Sequence, residues 1–390
     1  MRIAVAVSGG VDSLCALLLL RRAGHDVLAL HALLAEPFAG APAPVPGLAV
    51  ACGSLGVRLH VVDLRARFHQ EVITPFAAAY AAGETPNPCA LCNRQIKFGA
   101  LLDAALELGA DALATGHYAR LVPQSRRGAP GPLLAVAAHA PKDQSYFLSL
   151  VPRERLTRVI FPLAEMDKAS CAALLAEAGL VVPVPGESHD ICFAPGGVDA
   201  YRDFLERQWQ RLGLAPQGSG PIVLCGGEDD RGKIPAETRS SPETSEGAQP
   251  ATGGALRRIG THAGLWRYTE GQRRGLGIAH AEALHVLSKD ITANALVVGP
   301  RALLGMRGCV AGRVNVLAGP DSWPKRPLAR CRYGGGLVPA EVRLEAAQGG
   351  EKLHVRFGES CFPTAPGQVV ALYDEDGAVL AGAIVEQVLR

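Results

Sequence analysis

The chain lacks any apolar run long enough to cross a bilayer, and residues 1–7 lead into a glycine turn rather than a secretory leader. Both absences predict a cytoplasmic protein with no membrane partner. No internal repeat is found. Neither sign of charge dominates: 39 Lys and Arg stand against 37 Asp and Glu, a net charge of +2. That balance neither demands nor excludes nucleic acid, which would need basic residues gathered on one face. Charged residues make up 19% and hydrophobic ones 48%, the balance of a globular chain, and 390 residues suffice for two or three cores. Cysteine is not scarce. In a cytosolic chain, ten of them predict thiols or ligands rather than a disulfide framework.

What is present begins with Ser8-Gly9-Gly10-Val11-Asp12-Ser13, between an apolar strand (3–7) and an apolar helix (14–20). A strand, a two-glycine turn and a helix start direct backbone N–H groups and the positive end of a helix dipole at an anion. Ser8 and Ser13 add hydroxyl donors. Asp12 would repel bare phosphate, so a Mg²⁺ bridging it to the ligand is expected. No Gly-Lys-Ser/Thr follows, which excludes a Walker loop, and the glycine spacing does not fit the dinucleotide fingerprint. The bland alternative is an ordinary serine-capped turn. The stretch resembles the PP-loop of the ATP pyrophosphatases, which release pyrophosphate while adenylating a substrate oxygen.

Further strands are read at 26–33, 57–64 and 111–115, alternating with helices at 48–55, 65–82 and 94–108. This predicts an α/β fold with a doubly wound parallel sheet, whose ligand crevice lies off the carboxyl ends of the strands. Gly116 falls there and would admit a nucleotide to the backbone. Residues 36–47 read as a loop, as do 123–132 with Arg126 and Arg127. Thr85-Pro86-Asn87-Pro88 places Cys89 and Cys92 at a loop end or in the first turn of a helix. With Arg94 and Lys97 close by, both thiols are expected to have lowered pKa values. Redox pair, half a zinc site, iron–sulfur ligation and inert buried thiols all remain open for Cys-x-x-Cys.

Gly186-Glu187-Ser188-His189-Asp190-Ile191-Cys192-Phe193 is a polar loop with one apolar anchor and supplies a third thiol. A helix at 199–212 and a strand at 217–227 precede a flexible insertion at 228–255. Thr269 to Gly277 is a basic, turn-rich segment suited to phosphates or a plain polar hairpin. From 285 onward, short alternating runs predict an antiparallel barrel or sandwich.

In chain order, Ser8 to Ser13, Cys92-Asn-x-x-Ile-Lys-Phe98, Asp190-Ile-Cys-Phe193 and Tyr268-Thr-x-Gly-Gln-Arg273 resemble the bacterial tRNA-specific 2-thiouridylases, the MnmA family. That resemblance implies a PP-loop (adenine nucleotide α-hydrolase-like) catalytic domain over 1–198. It also implies a central tRNA-contacting domain over 199–284 and a C-terminal β-barrel over 285–390. The implied reaction adenylates the C2 oxygen of the wobble uridine (U34) in tRNAs for Lys, Glu and Gln, then replaces it by sulfur. ATP and Mg²⁺ are implied. Sulfur would come from a persulfide-donating protein such as a cysteine desulfurase relay, or from free sulfide.

The resemblance assigns ATP to Ala6, Val7, Ser8, Gly9, Gly10, Val11, Asp12, Ser13, Ala32 and Gly116. Cys92 falls at the nucleophile position and Cys192 at the persulfide position. Asn87, Pro88 and Cys89 meet the target base. His117, Lys142, Asp143, Gln144, Arg332, Tyr333 and Gln368 contact tRNA. This chain departs from the pattern at Cys89, where the family has aspartate, and at His189, where it has glutamine. Cys89, Cys92 and Cys192 match the ligand count of a [4Fe-4S] cluster with one open iron, alternative to a Cys92–Cys192 disulfide route. A PP-loop ligase adenylating a small carboxylate or carbonyl would need no thiols. An RNA-binding protein with structural zinc would release no pyrophosphate.

Overall fold

The structure, a computed structural model, describes residues 1–35, 44–123, 131–184, 191–194, 197–226 and 256–390. The insertion expected at 228–255, Arg126 and Arg127, and the run from Glu187 to Asp190 with His189 lie outside the described residues.

The N-terminal unit starts with β1 (Arg2–Ala6), α1 (Val11–Arg22), β2 (Asp26–Leu33), α2 (Pro44–Ser54) and β3 (Leu59–Asp63). Helix α2 begins ahead of the expected 48, because Pro44 and Pro46 are tolerated in a first helical turn. The helix expected at 65–82 is α3 (Arg65–Phe68), a π-type turn (His69–Ile73) and α4 (Thr74–Ala81), with the wide turn just ahead of Pro75, which has no N–H to donate. Next come α5 (Pro88–Cys92), a wide-turn segment (Asn93–Leu101) broken at Gly99, and α6 (Leu102–Glu107).

Strand β4 (Ala112–Ala114) follows, then the hairpin β5 (Arg120–Val122) and β6 (Leu133–Ala135). Short helices α7 (Ser145–Leu148) and α8 (Arg153–Leu156), strand β7 (Val159–Ile160) and α9 (Lys168–Glu177) complete the unit. The sheet is parallel in the order β3-β2-β1-β4-β7, so the order reverses between β1 and β4. Ile3, Val5 and Val7 pack with α1, α2 and α9 on one face, and Ala4 packs with α6 on the other. Two covered faces are what a parallel sheet requires.

Helix α10 (Gly197–Leu212) packs its aromatic side on α4. Beyond it, β8 (Gly220–Cys225), β9 (Leu256–His262), β10 (Leu284–Asp290) and β11 (Ala295–Pro300) form a sheet in the order β10-β11-β8-β9. The strands at 284–300, grouped by sequence with the C-terminal unit, therefore pair within the central one. Their alternation shows that they are strands but carries no sign of a partner 70 residues upstream.

Strands β12 (Met306–Val316), β13 (Leu328–Arg330), β14 (Val338–Ala347), β15 (Gly350–Cys361), β16 (Val369–Tyr373) and β17 (Val379–Leu389) close a barrel in the order β12-β15-β14-β13-β16-β17. Its core is continuous with β6 and α7 of the N-terminal unit. One buried ion pair fastens that junction. Asp143 accepts from Ala137 N and Ser145 N through Oδ1, and from Arg330 Nη1 (2.7 Å) through Oδ2. Their side chains are only 3% and 15% exposed, so the guanidinium has little water to fall back on.

Replacing Asp143 by Ala strands that charge, and the expected loss is roughly 3–5 kcal/mol. Urea unfolding followed by barrel tryptophan fluorescence at Trp323 measures it; a change under about 1 kcal/mol would show the pair to be dispensable.

Candidate active site

The PP-loop is held from below. Val7 N donates to Leu30 O (2.9 Å), and the buried His31 sets Nδ1 2.7 Å from Val7 O. Gly9 has φ +93°, and a Cβ there would lie 3.0 Å from Val184 Cγ2, while Val184 N donates to Gly9 O (3.1 Å). Helix α1 has no side-chain cap at Gly10, which leaves its first N–H groups open to an anion. The expected serine donors are turned inward. Ser13 Oγ accepts from Ser8 N (3.1 Å), lies 3.2 Å from Ser8 Oγ and donates to Gly10 O (3.0 Å). Both hydroxyls thus shape the loop, and its backbone is left to meet a phosphate.

Gly116, at the end of β4, has a use the sequence did not reveal. A Cβ there would stand 2.7 Å from Asp12 C and 2.8 Å from Ser13 N. The missing side chain lets β4 touch the loop backbone itself. Ala6 and Ala32 pack on the apolar face shared with α6. Asp12 fits a phosphate-bound Mg²⁺: Oδ1 accepts from Tyr118 Oη (2.8 Å), and Oδ2 has no protein partner among the described residues. Burial, then the bond to Asp12, pushes the Tyr118 hydroxyl well up, so it stays a donor. Behind it lie Cys171 Sγ (3.7 Å) and Cys15, whose thiol the Cys171 hydrogen bond pushes well up.

The thiols are placed by a different set of contacts. Asn87 caps α5 by accepting from Ala90 N (3.2 Å), and Pro88 takes the first helical position. The lead-in is pinned by the barrel: Thr85 N donates to Pro366 O (2.8 Å), Asn87 N to Gly367 O (3.2 Å) and Gln368 Nε2 to Thr85 O (2.7 Å). A side chain at Gly367, φ +91°, would meet the Thr85–Pro86 backbone at 3.0 Å. Cys192 is anchored by its neighbour Phe193, whose ring packs edge-on against Phe68 and Phe76 at 5.6 and 5.2 Å. Cys89 and Cys192 are exposed and Cys92 is buried.

All three thiols lie in the field of Lys97, and Cys92 feels both of the others. The expectation of lowered pKa values is overturned. Burial pushes Cys92 up to about 12 and raises Cys89 and Cys192, outweighing Lys97 in each case. Solvent reaches Cys89 and Cys192, so the desolvation is complete only at Cys92. Among the described residues no three His, Cys, Asp or Glu side chains converge closely enough to hold a single metal ion.

Lys97 also joins the two halves of the site. Its Nζ lies 3.2 Å from His117 Nε2, and His117 Nδ1 lies 2.8 Å from Thr115 Oγ1. Burial, then the charge of Lys97, holds His117 well below the usual imidazole range. The neutral ring therefore accepts from Lys97 and donates to Thr115. Asp12 and Lys97 are thus both bonded to the one stretch 115–118, through Tyr118 and His117, and the charge of Lys97 reaches the thiols.

Several residues assigned to tRNA are occupied inside the protein. His117 and Asp143 are buried, at 9% and 4% exposure. Gln144 and Tyr118 exchange backbone and side-chain bonds (Gln144 N to Tyr118 O, 2.8 Å; Tyr118 N to Gln144 Oε1, 3.0 Å). Gln368 holds Thr85, and Lys142 is half-buried with a partner of its own. Tyr333 remains exposed beside Phe147, with ring centroids 4.6 Å apart, and Arg332 lies 4.0 Å over Phe362. Sequence reasoning missed Tyr118 altogether and gave Lys97 only a supporting part. The Tyr that follows Gly116-His117 was the available signal, but its partner lies 106 positions away.

Three family patterns match in chain order: one described as tRNA methyl transferase HUP domain over 1–196, one as tRNA methyl transferase PRC-barrel domain over 253–300, and one as aminomethyltransferase beta-barrel domain over 306–385. The tRNA-specific 2-thiouridylase MnmA of Nitratidesulfovibrio vulgaris (Miyazaki F) is 46% identical over 99% of both chains. Those of Oleidesulfovibrio alaskensis and Lawsonia intracellularis are 45% and 41% identical, over at least 99% of each chain. A 4-thiouridine synthetase solved with RNA and ATP aligns over 55% of this chain and 51% of its own at 20% identity, with a TM-score of 0.33, too distant to inform the site. Full-length identity at that level, together with the three matched patterns, establishes that this chain belongs to the MnmA family of tRNA-specific 2-thiouridylases.

Proposed function

We propose that this protein is a tRNA-uridine 2-sulfurtransferase that uses ATP to replace the C2 oxygen of the wobble uridine (U34), in tRNAs for Lys, Glu and Gln, by sulfur. The observation that carries this reading is the 115–118 stretch, which contacts the phosphate loop on one side and, on the other, holds Lys97, whose charge reaches all three thiols. ATP supplies the adenylyl group that converts the C2 oxygen into a leaving group, and Asp12 would hold the Mg²⁺ that neutralises its phosphates. The open N–H groups of α1 bind the phosphate end, and the α5 helix presents the base to the thiols.

The terminal sulfur of a Cys192 persulfide, passed to the Cys192 thiol from the persulfide of a donor protein that is left as a thiol, bonds to C2. AMP departs with the oxygen. Cys92 attacks the Cys192 sulfur, the S–S bond breaks, and sulfur stays on C2 while a Cys92–Cys192 disulfide forms. A cellular dithiol reduces that disulfide. Burial keeps Cys92 a thiol at neutral pH, so it must give up its proton as it attacks, and Lys97 stabilises the thiolate that results.

The second reading, a [4Fe-4S] cluster held by Cys89, Cys92 and Cys192 that delivers hydrosulfide, rests on the three thiols sharing one cation's field.

Cys192→Ser and Cys92→Ser are each expected to abolish 2-thiouridine, read by mass spectrometry of tRNA from a complemented deletion strain, while tRNA-dependent pyrophosphate release continues. Thiolation surviving in Cys192→Ser would reject its role, and adenylation of a small carboxylate or carbonyl, undiminished in both variants, would favour a ligase with incidental thiols. Iodoacetamide labelling of Cys92 should climb steadily from pH 7 to 10 without a plateau, because its folded pKa lies above the usual thiol value of about 8.5. A plateau near pH 7 would mean a thiolate at rest. Anaerobic reconstitution with iron and sulfide decides the cluster: iron bound by the wild type and lost in Cys89→Ser supports it, and no bound iron rejects it.

A further inference from the structure

Tyr118 has no part in the reaction just described, yet it is 2% exposed and aims its hydroxyl at the one acidic side chain of the phosphate loop. We propose that Tyr118 is the positioning residue for metal–nucleotide binding, fixing the Asp12 carboxylate so that Oδ2 faces the phosphates with the geometry a shared cation needs. This deepens the functional reading above and rests on its nucleotide site.

The argument is geometric. Asp12 stands in the first turn of α1, where no cap residue restrains it. A free aspartate there would spread over several rotamers and would repel a phosphate in most of them. The bond from Tyr118 Oη to Oδ1, at 2.8 Å, selects one rotamer and uses up one oxygen. Tyr118 in turn has little freedom. Its backbone is clamped at N and O by Gln144, and Gly116 two residues earlier sits against Asp12 and Ser13. Cys171 Sγ, 3.7 Å behind the hydroxyl, closes the far side. The ring is too buried to meet the nucleotide itself, so its effect must pass through Asp12.

The test is equilibrium dialysis of α,β-methylene-ATP, which cannot be adenylated onto a substrate, against the full chain without tRNA. Tyr118→Phe is expected to bind about tenfold more weakly at millimolar Mg²⁺, the size of one hydrogen bond to a charged group. Its binding in EDTA should match that of the wild type. In an Asp12→Asn background, Tyr118→Phe should add nothing, because the carboxylate it orients is gone. Circular dichroism and Tm check folding, and Cys171→Ala, which removes only the sulfur behind the hydroxyl, controls for packing. An equal loss with and without Mg²⁺, an equal loss in the Asp12→Asn background, or no loss at all would overturn the proposal. Failure of the wild type to bind the analogue would instead bring down the nucleotide site on which it depends.

Discussion

The contact between β4 and the phosphate loop is the constraint that organises the molecule. With no Cβ at Gly116, the chain leaving β4 lies against the backbone of Asp12 and Ser13, in the first turn of the helix that follows its neighbouring strand β1. Because the order reverses between these two strands, their ends diverge and leave the crevice in which α/β sheets bind ligands. Four successive residues then serve different masters: Thr115 orients His117, Gly116 admits the loop, His117 receives Lys97, and Tyr118 holds Asp12. The Asp12 loop and Lys97 are thereby kept in fixed relation by covalent geometry rather than by a flexible linker.

The second organising contact is the seam between domains. A barrel loop supplies two carbonyl oxygens and one side-chain amide to the Thr85–Asn87 backbone, and Thr85 Oγ1 also meets Lys289 of the central unit (3.1 Å). Lys289 and Glu270 are themselves almost wholly buried, at 2% and 4% side-chain exposure. All three domains therefore converge on the residues that precede the cysteine helix. The barrel is better understood as part of the frame that holds the thiols than as an appendage for RNA alone.

Much of this was legible in the sequence. The phosphate loop, four strands of the parallel sheet and the Cys89/Cys92 helix start followed from local apolar runs, glycines and prolines, which act over a few residues. What stayed hidden was non-local. Strand β11 gave no sign of pairing with β8, and nothing near Gly116 in sequence told that the backbone of Asp12 and Ser13 lies against it. Lys97 and a helix start were expected to acidify the thiols, but desolvation of Cys92 by Phe and Trp side chains drawn from distant segments prevails. His117, Asp143, Gln144 and Gln368 are polar residues beside a functional cleft, and a polar residue reads the same whether it faces a substrate or a neighbouring backbone.

The seam at Thr85–Asn87 bears on how the protein is made. Its barrel partner Gln368 follows Thr85 by 283 positions, so a ribosome completes the nucleotide fold long before it delivers the loop that sets the cysteine helix. During synthesis the glycine loop can close while the cysteine helix still lacks its outer brace. A chain cut short ahead of the barrel would lack the bonds that hold Thr85–Asn87, so the cysteine helix receives its brace only when the polypeptide is nearly finished.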